Sequence, residues 1–182
     1  MLIDAATSAL VVIDMQERLV PAMQAPARTI RNARTLITAA GEMQVPVLLT
    51  EQYPRGLGHT VPEVASAGTA AAAQVIEKTH FSSWAEPGFP DAFGGTGRTQ
   101  AVIAGMEAHI CVLQTAVAMM KEGIEVFVVT DATSSRTLES EKACLDRLQA
   151  AGAGIVTTEM VVFEWLGRAG TPQFKALLPL IK

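Results

Sequence analysis

Cysteine is scarce in this chain: Cys111 and Cys144 are the two among 182 residues, too few for a disulfide scaffold or a structural zinc site. Runs of positive charge are missing as well. Lys and Arg total 14 against 18 Asp and Glu, a net charge of −4, and arginines such as Arg28, Arg31, Arg34 and Arg98 stand singly. A chain of that balance has no electrostatic footprint for duplex DNA or anionic lipid, so neither a nucleic acid nor a membrane is expected as a partner. Long apolar runs are also lacking. A spanning helix needs about 20 apolar residues in succession, whereas the run Ala9–Ile13 ends at Asp14. An acid at position 4 and no basic leader argue against a signal peptide. The expectation is a soluble, cytoplasmic protein with reduced thiols.

What is present is ample core material. Hydrophobic residues make up 49% and charged residues 18%, which suits one folded domain over 1–182 and excludes disorder. Short β-branched runs alternate with stretches of helical period. Strands are predicted at Leu10–Ile13, Val45–Thr50, Gln74–Glu77, Gln100–Ala104, Glu125–Thr130 and Gly154–Thr158, because continuous apolar runs mark strands covered on both faces. Ile30, Ala33, Ile37 and Ala40 lie on one face of a helix predicted over about 26–44. Further helices are predicted over His109–Lys121 and Ser140–Ala151, with two short pieces at Val161–Leu166 and Thr171–Leu180. Glu51–His59 and Ser82–Arg98, rich in Pro and Gly, read as loop and mostly irregular chain. Alternating strands and helices imply parallel pairing through right-handed crossovers, hence an α/β fold of three layers, helix–sheet–helix, with about six strands.

Ligands in open α/β sheets bind beyond the carboxyl ends of the strands. Asp14 follows the first predicted strand, Lys78 the third, and Cys111 falls in the first turn of the helix after the fourth. A thiol there feels the positive end of the helix dipole, and a nearby ammonium would lower its pKa further. Asp14 is placed to take the thiol proton and return it to a leaving amine. Backbone N–H groups between Gly105 and Cys111 are placed to form an oxyanion hole. Taken singly, each residue also has a structural reading: core filler for the cysteine, a cap or turn for Asp14, a surface position for Lys78. Cys144, with Leu148 one turn on, fits core packing and receives no role.

Four stretches carry a family resemblance: Ala9-Leu10-Val11-Val12-Ile13-Asp14-Met15-Gln16, Glu77-Lys78-Thr79-His80-Phe81-Ser82, Gly105–Ala116 around Cys111, and Val129–Arg136. In this order and nearly end to end, the chain resembles the isochorismatase-like cysteine hydrolases, the superfamily that also holds nicotinamidases and N-carbamoylsarcosine amidase. The resemblance implies a six-stranded parallel sheet in the Rossmann-like order 3-2-1-4-5-6. It implies a catalytic triad of Asp14, Lys78 and Cys111, and a cis peptide bond between Met106 and Glu107. The oxyanion donors would be the backbone N–H groups of Glu107 and Cys111, leaving the Glu107 side chain without a catalytic part. The implied reaction is hydrolysis of a small-molecule amide C–N bond through a thioester.

Two departures narrow the subgroup. Nicotinamidases carry an Asp-x-His metal motif after the second strand, whereas this chain reads Thr50-Glu51-Gln52-Tyr53-Pro54 with only His59 nearby, so neither a metal nor another cofactor is expected. Isochorismatases of the phenazine-pathway type lack the nucleophilic cysteine that Cys111 supplies here. The Thr50–Gly58 loop looks instead like that of the isochorismatase-domain-containing proteins. Gln16, Gln52, Tyr53, Phe81 and Trp84 are candidates to line a substrate pocket. The segment Gly94–Arg98 precedes a strand, so it reads as a turn and not a phosphate cradle. Structural or solvent-facing places are expected for His80 and His109. The apolar Val161–Leu166 segment should pack on the core or on another subunit, and the superfamily's habit points to a homo-oligomer. Two other readings stay open: a scaffold of the same fold with a vestigial site, and cleavage of a vinyl ether as in isochorismate.

Overall fold

The computed structural model describes residues 1–181. Six parallel strands form one sheet in the order β3-β2-β1-β4-β5-β6: β1 Ser8–Ile13, β2 Val47–Gln52, β3 Gln74–Lys78, β4 Gln100–Met106, β5 Glu125–Ser134 and β6 Gly154–Val156. The chain winds outward from β1 to one edge, returns to β4, then winds to the other. That reversal between β1 and β4 opens a crevice at their carboxyl ends. Among the described residues, no helix is long and apolar enough to cross a membrane.

The central strands are buried on both faces, and their side chains divide by period two. Leu10, Val12, Val47, Leu49, Val102 and Ala104 face a layer that contains α1 (Pro26–Glu42). Ala9, Val11, Ile13, Leu48, Ala101 and Ile103 belong to the opposite core. β3 is an edge strand and reads differently, with Val75 and Glu77 in solvent and only Lys78 buried.

The sequence reading missed three helices. α2 (Pro54–Leu57) lies in chain expected to be loop, α3 (Pro62–Ala70) forms where no element was predicted, and α4 (Phe89–Gly94) interrupts the Ser82–Arg98 segment expected to be mostly irregular. Pro54 and Pro90 read as turn formers in the sequence, yet they, like Pro62, sit in first turns, where a missing N–H costs nothing. In α4, Phe89 and Phe93 are one turn apart and fully buried. Burial of each is worth roughly 1.5–3 kcal/mol, enough to hold so short a helix.

The other helices follow the expected periods with shifted ends. α5 (Leu113–Lys121) is preceded by a π turn over Ala108–Val112. α6 (Leu138–Ala150) begins earlier than expected because the Thr137 hydroxyl caps it from the Ser140 N–H. α7 (Thr158–Leu166) packs Val161, Val162 and Trp165 into the α1-side core, and α8 (Pro172–Leu177) follows. β5 also outruns its predicted end at Thr130. Pairing steps from Ile103–Val128 to Gly105–Thr133, so β5 bulges and still finishes beside β4. Bulges of this kind re-aim a strand end next to a site.

Candidate active site

Four strand ends meet at the crevice. β1 hands over to Asp14, whose backbone takes a left-handed φ of 51°, a conformation Asp tolerates better than most residues. Its N–H donates to the Thr50 carbonyl of β2. Its Oδ1 accepts the Thr50 hydroxyl at 2.7 Å. Its Oδ2 lies 2.7 Å from the Lys78 Nζ at the end of β3. Both side chains of this ion pair are wholly shielded from water. Charges so deeply placed persist only when paired and hydrogen-bonded.

Lys78 Nζ also donates to Gln52 Oε1 at 2.6 Å and to the carbonyls of His80 and Phe81 at 3.2 and 3.3 Å. Beyond β4, the Met106–Glu107 peptide bond is cis. The chain then turns through the π turn, which closes by the Val112 N–H on the Glu107 carbonyl and the Leu113 N–H on that of Ala108. Cys111 sits inside this first turn, where N–H groups precede any intrahelical acceptor. Cys111 is buried, 5% exposed, and close enough to the Asp14 carboxylate and the Lys78 ammonium for both charges to act on its thiol. The three residues singled out from the sequence are therefore together.

The resting state of the thiol differs from the sequence expectation. Burial pushes the Cys111 thiol up to about 12, the Asp14 charge pushes the same way, and the Lys78 ammonium opposes both without prevailing. The helix-end and lysine arguments foresaw a lowered pKa. They fail because the thiol is cut off from water and because Lys78 already neutralises a carboxylate. The shift favours the neutral thiol over a preformed thiolate.

The five candidate pocket residues separate. Gln16 is fully buried. Its Nε2 donates to the Gln52 and Gly58 carbonyls, and its Oε1 accepts the Gln52 N–H. It braces two loops and offers nothing to a ligand. Trp84 is half-buried and packs edge-on against Phe89 and Phe93 of the core, with ring centroids 6.2 and 5.9 Å apart. Tyr53 and Phe81 stand 56% exposed. Tyr53 lines a cavity of about 360 Å³ with Pro54, Arg55, Lys78 and Thr79. Gln52 faces inward onto Lys78, with its Nε2 donating to the Thr79 carbonyl.

Several neighbours escaped the sequence reading. Thr50 anchors Asp14, and the Ile13–Thr50 register alone would have revealed it once β2 was placed beside β1. The Glu107 carboxylate, 7% exposed as a residue, accepts from Arg136 Nε at 2.7 Å. His109 Nδ1 meets the Ser135 hydroxyl at 2.9 Å. Glu51 is buried, which by itself raises a carboxyl pKa. The Thr60 N–H and hydroxyl and the His59 ring outweigh that and lower it. His59 is thus tied to Glu51 at the rim of the β2 loop, and among the described residues no group of three or more His, Cys, Asp or Glu is gathered as a metal site.

The strand order, with helices on both faces of the sheet, is that of the isochorismatase-type hydrolase fold. The model of the isochorismatase domain matches residues 8–160. The mouse isochorismatase domain-containing protein 2A is 34% identical over 97% of this chain and 83% of its own length. A Caenorhabditis elegans structure described as MAR1 ribonuclease superposes with a TM-score of 0.92 at 35% identity, covering 100% of this chain and 92% of that one. The Escherichia coli YcaC product, described as an octameric hydrolase of unknown specificity, superposes with a TM-score of 0.92 at 26% identity, covering 99% and 90%. The chain belongs to the isochorismatase family, and a hydrolase fits that family.

Proposed function

We propose that this protein is a cysteine-dependent hydrolase of a small-molecule amide C–N bond, with Asp14, Lys78 and Cys111 as its catalytic triad. The observation that carries this reading is a buried carboxylate–ammonium pair set directly against an otherwise enclosed thiol. Asp14 removes the thiol proton as Cys111 Sγ attacks the carbonyl carbon, so no free thiolate need accumulate. The backbone N–H groups of Glu107 and Cys111 donate to the developing oxyanion. Asp14 then protonates the departing nitrogen, which leaves as an amine, and a thioester remains on Cys111. A water that gives its proton to Asp14 attacks the thioester, and the thiol regains that proton as the acid departs. Lys78, buried against Asp14, stabilises negative charge as it passes between oxygen and sulfur.

An enclosed thiol on a chain of net charge −4 suits a small, uncharged carbonyl better than the RNA that the nematode relative's description suggests. The octameric E. coli relative, together with Met160 and Phe163 exposed on α7, supports a homo-oligomer of one-domain subunits. The experiment is a screen of small primary and substituted amides, with an RNA oligomer and isochorismate alongside, read by release of amine and by intact-mass detection of an acyl adduct on Cys111. Amide turnover that vanishes in Cys111→Ala is the expected result. Isochorismate turnover that survives Cys111→Ala would replace the thioester route with acid catalysis through Asp14. A lack of turnover on every substrate, with an unreactive Cys111, would leave a scaffold.

A further inference from the structure

An ammonium has three protons to place, and Lys78 has four acceptors around it. Three of them, Gln52 Oε1 and the carbonyls of His80 and Phe81, are met in hydrogen-bond geometry. The fourth, Asp14 Oδ2, is at 2.7 Å yet lies off the hydrogen-bond direction and receives no aligned donor. Of the three aligned acceptors, Gln52 makes the shortest contact, 2.6 Å, and is the one side chain. Its own orientation is fixed at both ends, by Nε2 on the Thr79 carbonyl and by its backbone N–H on Gln16 Oε1.

We propose that Gln52 is a positioning residue that draws a Lys78 proton away from Asp14, so that Lys78 acts on the carboxylate by charge alone and Oδ2 keeps a lone pair for the Cys111 proton. A lysine that donated squarely to Oδ2 would occupy one of its two lone pairs, hold its charge more tightly and make it a poorer base. The arrangement supplies the field of the ammonium without its hydrogen bond. It rests on the triad reading above and adds what holds the triad in a competent state.

Other groups near the pair do not disturb this assignment. From β2 come Thr50, which serves Oδ1, and Gln52, both uncharged, while the Glu51 carboxylate is committed to Thr60 and His59. From the π turn comes the Cys111 thiol itself.

The test needs no substrate. Iodoacetamide modification of Cys111 in the full chain is followed against pH by peptide mass spectrometry for the parent and for Asp14→Asn, Gln52→Met and Gln52→Glu. Asp14→Asn is expected to lower the Cys111 titration midpoint, because the carboxylate holds the thiol proton. Gln52→Met frees a lysine proton for Oδ2, weakens Asp14 as a base and should lower the midpoint part-way, speeding modification at neutral pH by about tenfold. Gln52→Glu keeps an acceptor for Lys78 at the same reach and adds negative charge, so its midpoint should stay or rise. A general loosening of the site would move both Gln52 variants in one direction and would overturn the proposal. An unchanged midpoint in Gln52→Met with a lowered one in Asp14→Asn would overturn the part given to Gln52 and leave the triad standing. No change in Asp14→Asn would remove Asp14 as the base and the triad reading with it. Should Gln52→Met fail to fold, a midpoint in Gln52→Glu below that of the parent overturns the proposal by itself.

Discussion

Cys111 and Cys144 have nearly the same physical surroundings by the usual measures and quite different neighbours. Both are buried, at 5% and 1% exposure, and burial pushes both thiols up to about 12. Both lie on the same side of the sheet, one in the π turn before α5 and the other in α6. Cys144 Sγ donates to the Ala108 carbonyl, a group that can never take its proton. Cys111 faces a carboxylate that can, with an ammonium behind it. Neither exposure nor resting acidity separates the two thiols. What separates them is the carboxylate–ammonium pair beside Cys111 and its absence from the contacts of Cys144.

That contrast can be broken in graded ways. The largest effect expected is on turnover: Cys111→Ala should lose activity by at least about a thousandfold, measured on whichever amide the screen selects, while Cys144→Ala keeps it. Equal losses in the two would mean that the comparison is about packing alone. Next comes the lysine. Lys78→Met leaves the Asp14 carboxylate buried without its counter-charge, an omission that typically costs about 3–5 kcal/mol, visible in urea unfolding. A loss below 1 kcal/mol would show that the pair is not held dry. Asp14→Asn should abolish turnover yet make Cys111 more reactive to iodoacetamide at neutral pH, two changes of opposite sign from one substitution. Slower modification there would reverse the assigned direction of coupling.

Smaller effects follow. Each thiol is held at about 12 in the folded chain, above its ordinary 9.0. Its contribution to stability is therefore complete below about pH 9 and drains away as pH climbs towards 12. Replacing either cysteine with alanine should flatten that alkaline decline, read as the difference in unfolding free energy between pH 8 and 11. An unchanged slope would put both thiols in contact with water. The smallest expected effect is Cys144→Ala at neutral pH, where loss of a buried sulfur and a weak hydrogen bond should cost about 1 kcal/mol.

The fold was largely legible because its signals are local. Apolar runs at Leu10–Ile13 and Gln100–Ala104 had only one way to be buried on both faces, and every strand was expected within a few residues of its place. The misses came from tertiary packing and pairing. At α4, Pro90 and Gly94 read as breakers, and only the packing of Phe89 and Phe93 beneath them turns those residues into the two ends of a helix. β5 was cut short at Thr130 because a bulge, which depends on the register of β4, leaves no mark in composition.

At the site, residue type and strand order were enough to nominate Asp14, Lys78 and Cys111, since parallel strands must send their carboxyl ends to one edge. Proton positions were beyond the sequence. Whether Cys111 rests as thiol or thiolate depends on water excluded by chain far away in sequence. Which atoms receive the three protons of Lys78 depends on the carbonyl directions of His80 and Phe81 and on a Gln52 amide clamped from Gln16. Chain order determined which groups meet. Burial and hydrogen-bond direction, properties of the packed structure alone, decided how those groups face one another.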